Sequence, residues 1–206
     1  MKLYDISMTV SPEIMTYNNN QANKPVFEVQ ADFSNASHYE TKVTTNLHTG
    51  THIDAPLHMI EDGATMESYD LKRFITPCRV LDLTQVEDSI HKKDLEGFNI
   101  QSGEFLLFKT KNSWDTTFNT GFIFLAEDGA KYLNELKING AGTDALGIER
   151  SQADHMTHKT LLGNGIIILE GLRLAEVEEG TYQLIALPVK LANVEASPTR
   201  AVLIAE

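Results

Sequence analysis

Apolar residues in this chain come in short runs broken by Gly, Pro and Asn, and few stretches carry the three-and-four spacing of a helix face. Residues 41–47 alternate and are rich in Val and Thr, which predicts a strand. Residues 79–83, 104–108, 165–169, 182–187 and 200–204 read as half-buried or fully buried strands, because each run is too short for a buried helix and is bounded by turn formers. Three segments read as helices. Residues 126–136 place Leu125, Tyr132, Leu133 and Leu136 near one face, with Glu127 and Asp128 at the positive amino end. Residues 89–95 predict a short helix stopped by Gly97, and residues 154–162 one halted at Gly163-Asn164-Gly165. Residues 17–25, with Asn18-Asn19-Asn20, read as loop. The expected class is α/β: a mixed sheet with few helices, and no repeat or linker interrupts it.

Composition narrows the function more than the fold. The 206 residues suggest one domain over residues 1–206. A chain of that length buries on the order of 70% of its unfolded surface and needs no staple. Seventeen basic residues against 29 acidic ones leave a formal charge of −12, which repels phosphate backbones and anionic membranes. Nucleic acid and membrane are therefore not expected partners. Cys78 is the only cysteine, the first residues lack the basic-then-apolar pattern of a secretory signal, and no apolar run approaches the ~20 residues of a membrane helix. A soluble, cytoplasmic protein is expected, with Cys78 in ordinary packing.

The informative segment is His48-Thr49-Gly50-Thr51-His52-Ile53-Asp54-Ala55-Pro56-Leu57-His58, which holds three of the seven histidines. In an extended chain His48, His52, Asp54 and His58 share one face. A flat strand would separate the α-carbons of His48 and His52 by about 13 Å, at roughly 3.3 Å per residue, too far for two imidazoles to hold one ion. The chain must curl. Gly50 sits where a bulge or positive φ costs least, the Thr49 and Thr51 hydroxyls are placed to tie the bend, and Pro56 ends strand pairing and turns His58 back. Imidazole with carboxylate and no nearby thiolate suits zinc or manganese. A second cluster is weaker: His155 and His158 precede an apolar run that Glu170 closes, and taken alone Glu170 reads more readily as a strand-end carboxylate meeting water.

The segment resembles the H-x-G-T-H-x-D-x-P-x-H signature of the metal-dependent cyclase-like hydrolases, a family that takes in kynurenine formamidases and isatin hydrolases, and matches it at every fixed position. Asp5-Ile6-Ser7, Gly142-Thr143-Asp144, His158-x-x-Leu161-Leu162, Glu170-Gly171-Leu172 and Pro198-x-Arg200-Ala201 resemble further family blocks, so the likeness runs along nearly the whole chain. The resemblance implies metal ligation by His48, His52, Asp54, His158 and Glu170, with one or two divalent ions and Asp54 shared. It implies that His58 donates and accepts the proton, and it leaves His155 structural. It further implies a swivelling β/β/α-type fold, a homodimer or homotetramer, and hydrolysis of a small amide. Lactone or ester hydrolysis, or cyclisation or dehydration on the same site, stays open, as does a purely structural metal. The formamidases carry a Trp-Pro pair near the amino terminus. Here the corresponding stretch is Met15-Thr16-Tyr17-Asn18, which leaves Tyr17 as the candidate for stacking against substrate.

Overall fold

The runs that read as buried strands all join one mixed sheet. The computed structural model describes residues 1–205. Its strands are β1 (Lys2–Asp5), β2 (Val26–Ala31), β3 (Glu40–Thr44), β4 (His52–Asp54), β5 (Ile75–Asp82), β6 (Ser89–Ile90) and β7 (Phe105–Lys109). The remainder are β8 (Phe124–Leu125), β9 (Gly140–Thr143), β10 (Ile167–Glu170), β11 (Gly180–Ile185), β12 (Ala196–Pro198) and β13 (Val202–Ala205). Three α-helices accompany them: α1 (Lys92–Leu95), α2 (Glu127–Glu135) and α3 (Met156–Gly163).

Nine strands form the main sheet in the order β1-β13-β11-β5-β7-β9-β10-β4-β12. Its centre, β5-β7-β9-β10, is parallel, and every other neighbour is antiparallel. A parallel centre needs cover on both faces, and the period of two supplies it. Leu106, Phe108 and Ile168 point to one side, where Leu125, Leu133, Leu161 and Leu162 pack. Phe105, Leu107, Ile167 and Leu169 point to the other, against Ile6, Ile53, Leu184 and Leu203. The sheet also curls. Ser7, just beyond β1, bridges Leu172, just beyond β10, and the Arg173 N–H donates to the Ile6 carbonyl at 2.9 Å. That closure carries the amino-terminal segment over the ends of β4 and β10.

The three expected helices are present with shifted ends. Residues 89–95 are corrected: Ser89–Ile90 pair with Phe124–Leu125 as a small parallel ribbon, and the helix begins only at Lys92. The strand expected over residues 41–47 ends at Thr44, and its partner β2 was not expected. Together they form a ribbon outside the main sheet, exposed along nearly its whole length. The loop-like residues 17–25 hold two single 3₁₀ turns. Cys78 is in ordinary core packing on β5.

Candidate metal centre

β4 lies between β10 and β12, and its register sets the site. His52 sits opposite Glu170 and Asp54 opposite Ile168, so one face of the pair carries His52, Asp54 and Glu170 while Ile53 and Leu169 go into the core. The chain reaches β4 through the expected bend. Gly50 has φ +72° and Gly171 φ +70°, and a Cβ on Gly171 would stand 2.5 Å from the Gly50 carbonyl oxygen. The two segments therefore meet backbone on backbone, which only glycine allows. Thr51 locks the contact: its hydroxyl donates to the Gly171 carbonyl at 2.6 Å and accepts from the Met8 N–H at 2.8 Å. The Thr49 hydroxyl donates to the Asn23 carbonyl at 3.0 Å. After Asp54, Pro56 opens a 3₁₀ turn, Pro56–His58, that returns His58 over His48, with ring centroids 4.2 Å apart. His158 comes from the first turn of α3, and its ring lies 5.6 Å from that of His58.

These residues form a bridged arrangement. Asp54 Oδ1 faces His48 Nδ1 at 3.2 Å and His52 Nε2 at 3.5 Å, while Asp54 Oδ2 faces His158 Nε2 at 3.7 Å. Glu170 repeats the pattern, Oε2 at 3.3 Å from His52 Nε2 and Oε1 at 3.4 Å from His158 Nε2. The His52 Nδ1–H is spent on the Gly50 carbonyl at 2.9 Å, which leaves Nε2 as the nitrogen turned inward toward the carboxylates. Asp54 is fully buried, and among the described residues neither of its carboxylate oxygens has a hydrogen-bond partner. A buried carboxylate left in that state is costly unless a cation joins it. Imidazole nitrogens and carboxylate oxygens converging on it, with no thiolate, are the donors a divalent cation takes. The donor atoms of His48, Asp54 and His58 lie within 4.8 Å of one another, as do those of His52, Asp54 and Glu170.

The charges respond to this crowding. Burial alone would push the His52 and His158 imidazoles down, but carboxylates outweigh it, Glu170 at His52 and Glu149 with Glu170 at His158. They hold the rings at about 9 and about 10. Burial opposes ionisation of Glu170, yet the hydrogen bonds to His158 and His52 keep its carboxyl well below the usual range. His58 goes the other way: burial, only partly offset by Asp54, lowers its value, so the ring is neutral at pH 7 and able to accept a proton.

A cavity of about 260 Å3 opens over these groups. His48, His58, His158 and Glu170 reach its floor, and Tyr17, Met59 and Leu146 supply apolar wall. The Tyr17 ring is held against Phe118 and Phe122, with centroids 5.2 and 6.0 Å away. Of the sequence-predicted site residues, Tyr17, His48, His58, His158 and Glu170 line this pocket, while His52 and Asp54 lie outside its lining, in contact with Glu170 and His158. His155 is at the pocket too, and Glu149 behind it was missed. Its one signal was position, beside the Gly142-Thr143-Asp144 block and six residues before His155.

Comparison with known proteins gives one consistent set. The family model described as putative cyclase matches residues 4–150. The kynurenine formamidase of Salinibacter ruber is 33% identical, with the match covering 98% of this chain and 97% of that protein. A solved structure described as a potential metal-dependent hydrolase with cyclase activity is 46% identical and superposes with a TM-score of 0.91, over 98% of this chain and 96% of the other. Isatin hydrolase A of Labrenzia aggregata shares the fold, with TM-score 0.84 at 22% identity over 100% of this chain and 94% of its own.

Proposed function

The chain belongs to the cyclase family, and from that premise we propose that it is a metal-dependent hydrolase of small non-peptide amides. A formamide or a cyclic amide, as the names of its relatives suggest, is the substrate class. The observation that carries the reading is Asp54, a fully buried carboxylate whose unpartnered oxygens face imidazoles on both sides. His48, His52, Asp54, His158 and Glu170 would hold one or two divalent ions, zinc best matching the donor set and manganese next. Such an ion supplies positive charge that makes water nucleophilic near neutral pH and draws electron density from an amide carbonyl.

The chain's own residues do the rest. His58, neutral and half-buried above His48, takes the proton of the attacking water and returns it to the departing nitrogen. The Tyr17 ring, fixed by Phe118 and Phe122, offers a flat wall on which the substrate's apolar part stacks. Met59 and Leu146 extend that apolar wall. Residues 1–206 work as one domain, in the cytoplasm and as a homodimer or homotetramer. No helix of the described residues is long and apolar enough to cross a membrane.

The test pairs elemental analysis with a panel of formanilides, lactams, lactones and aryl esters. The wild-type protein is expected to carry a divalent ion and to hydrolyse amides in preference to esters. His58→Ala is expected to lower kcat by 10²-fold or more, a rough figure for loss of a general acid–base, with metal content unchanged. A purified chain that takes up no divalent cation overturns the proposal.

A further inference from the structure

Glu149 is a second carboxylate that the fold buries beside the site, and its donor atoms lie within 4.8 Å of those of His155 and His158. Its two oxygens serve two histidines. Oε1 accepts from His155 Nδ1 at 2.8 Å, and Oε2 accepts the backbone N–H of His158 at 3.0 Å. The same Oε2 lies 3.2 Å from His158 Nδ1. That ring nitrogen is buried, and among the described residues it has no aligned hydrogen-bond partner, so Glu149 is the carboxylate a slight turn of the ring would satisfy. A ring held as N–H at Nδ1 offers its lone pair at Nε2, the atom that faces Asp54 and Glu170. His155 holds the far oxygen from the pocket mouth, and it does so at φ +50°, a conformation that L side chains seldom adopt.

We infer that Glu149 is a positioning residue for the cation site, fixing the tautomer and ring angle of His158, and that His155 braces it. The inference rests on the reading of His158 as a metal ligand. It also gives His155 more to do than structural packing: a half-exposed ring at the pocket mouth is joined through one carboxylate to a group on its floor.

The experiment is Zn2+ titration of the purified full-length protein against a chromophoric chelator, with the visible spectrum of Co2+-loaded protein as a second readout. Glu149→Gln is expected to weaken Zn2+ binding about 10- to 100-fold and to shift the Co2+ bands. Glu149→Asp, which keeps the carboxylate, is expected to recover part of that loss. His155→Ala is expected to show a smaller loss in the same direction. Circular dichroism of the metal-free proteins checks folding, and if Glu149→Gln does not fold, His155→Ala decides alone. Unchanged Zn2+ affinity with an unchanged Co2+ spectrum overturns the inference while leaving the metal reading intact. A wild-type protein that binds no Zn2+ overturns both.

Discussion

Without a cation, protons carry the positive charge that Asp54 and Glu170 require. His52 and His158 are held at about 9 and about 10, against the usual 6.5 that the unfolded chain has. The native protein then keeps protons that the unfolded chain releases. This contribution to stability is complete below about pH 6.5 and is lost as pH rises through the folded values. The melting temperature of chelator-treated protein is therefore expected to fall between pH 7 and 10, a window spanning those shifts. The zinc-loaded protein, whose ligand imidazoles are already neutral, should fall less; two parallel profiles would refute the assignment. At this scale the segment from His48 to His58 was legible because shared parity and a framing Gly and Pro are local signals. Glu170 and His158 were not legible from the residues alone, since a lone carboxylate at a strand end looks like any other. Glu149 was hidden for a different reason: its partners come from a loop and a helix start, where no period marks which side chains will meet.

Among elements, β9 shows how packing overrules propensity. No strand was expected over Gly140-Ala141-Gly142-Thr143, yet the segment lies in the parallel centre of the sheet. A Cβ on Gly140 would run into the Phe105 ring, and one on Gly142 would stand 2.5 Å from the Leu107 side chain, so the glycines are demanded by the neighbouring strand. The joint between Gly50 and Gly171 is as tight. Gly171→Ala adds a left-handed penalty to a backbone clash, on the order of 2–4 kcal/mol together. It is expected to lower the melting temperature by about 5–15 °C and to reduce metal content, both measurable on one preparation. The β2–β3 ribbon is the opposite case. Phe27, Val29 and Val43 share one face and remain exposed, while Glu28 and Lys42 pair on the other. A two-stranded ribbon with a bare apolar face is marginal in water, which suits it to self-association. On the proposal that the chain is a homo-oligomer joined through this face, Phe27→Asp with Val29→Asp is expected to lower the mass seen by light scattering to that of a monomer with metal content preserved. An unchanged mass would place the contact elsewhere.

For the whole molecule, the curl of the sheet decides what the pocket is made of. It draws the segment after β1, the bend before β4, the end of β10 and the start of α3 to one place, although they are spread along most of the chain. A ligand gathered from such distant parts belongs only to the folded state, so metal binding adds to folding stability by mass action. At free zinc a hundredfold above the dissociation constant the gain is about 2.7 kcal/mol for one site. Differential scanning calorimetry is expected to show a melting temperature that climbs with zinc and returns after chelation. No response to zinc would mean that these side chains hold no ion. The mixed sheet and its few helices were readable from runs and breakers. Its closure was not, because bridges such as Ser7 to Leu172 obey no spacing rule.

Where Gly50 meets Gly171, two peptide groups touch with no side chain between them. The spacing of β4 and β10, and with it that of Asp54 and Glu170, is set there by main chain, whereas the apolar wall of the cavity above them is made by the side chains of Tyr17, Met59 and Leu146. Exchanging those three would reshape the wall without shifting the main chain that spaces the two carboxylates, so on the proposed reading substrate preference can change while the cation site keeps its geometry.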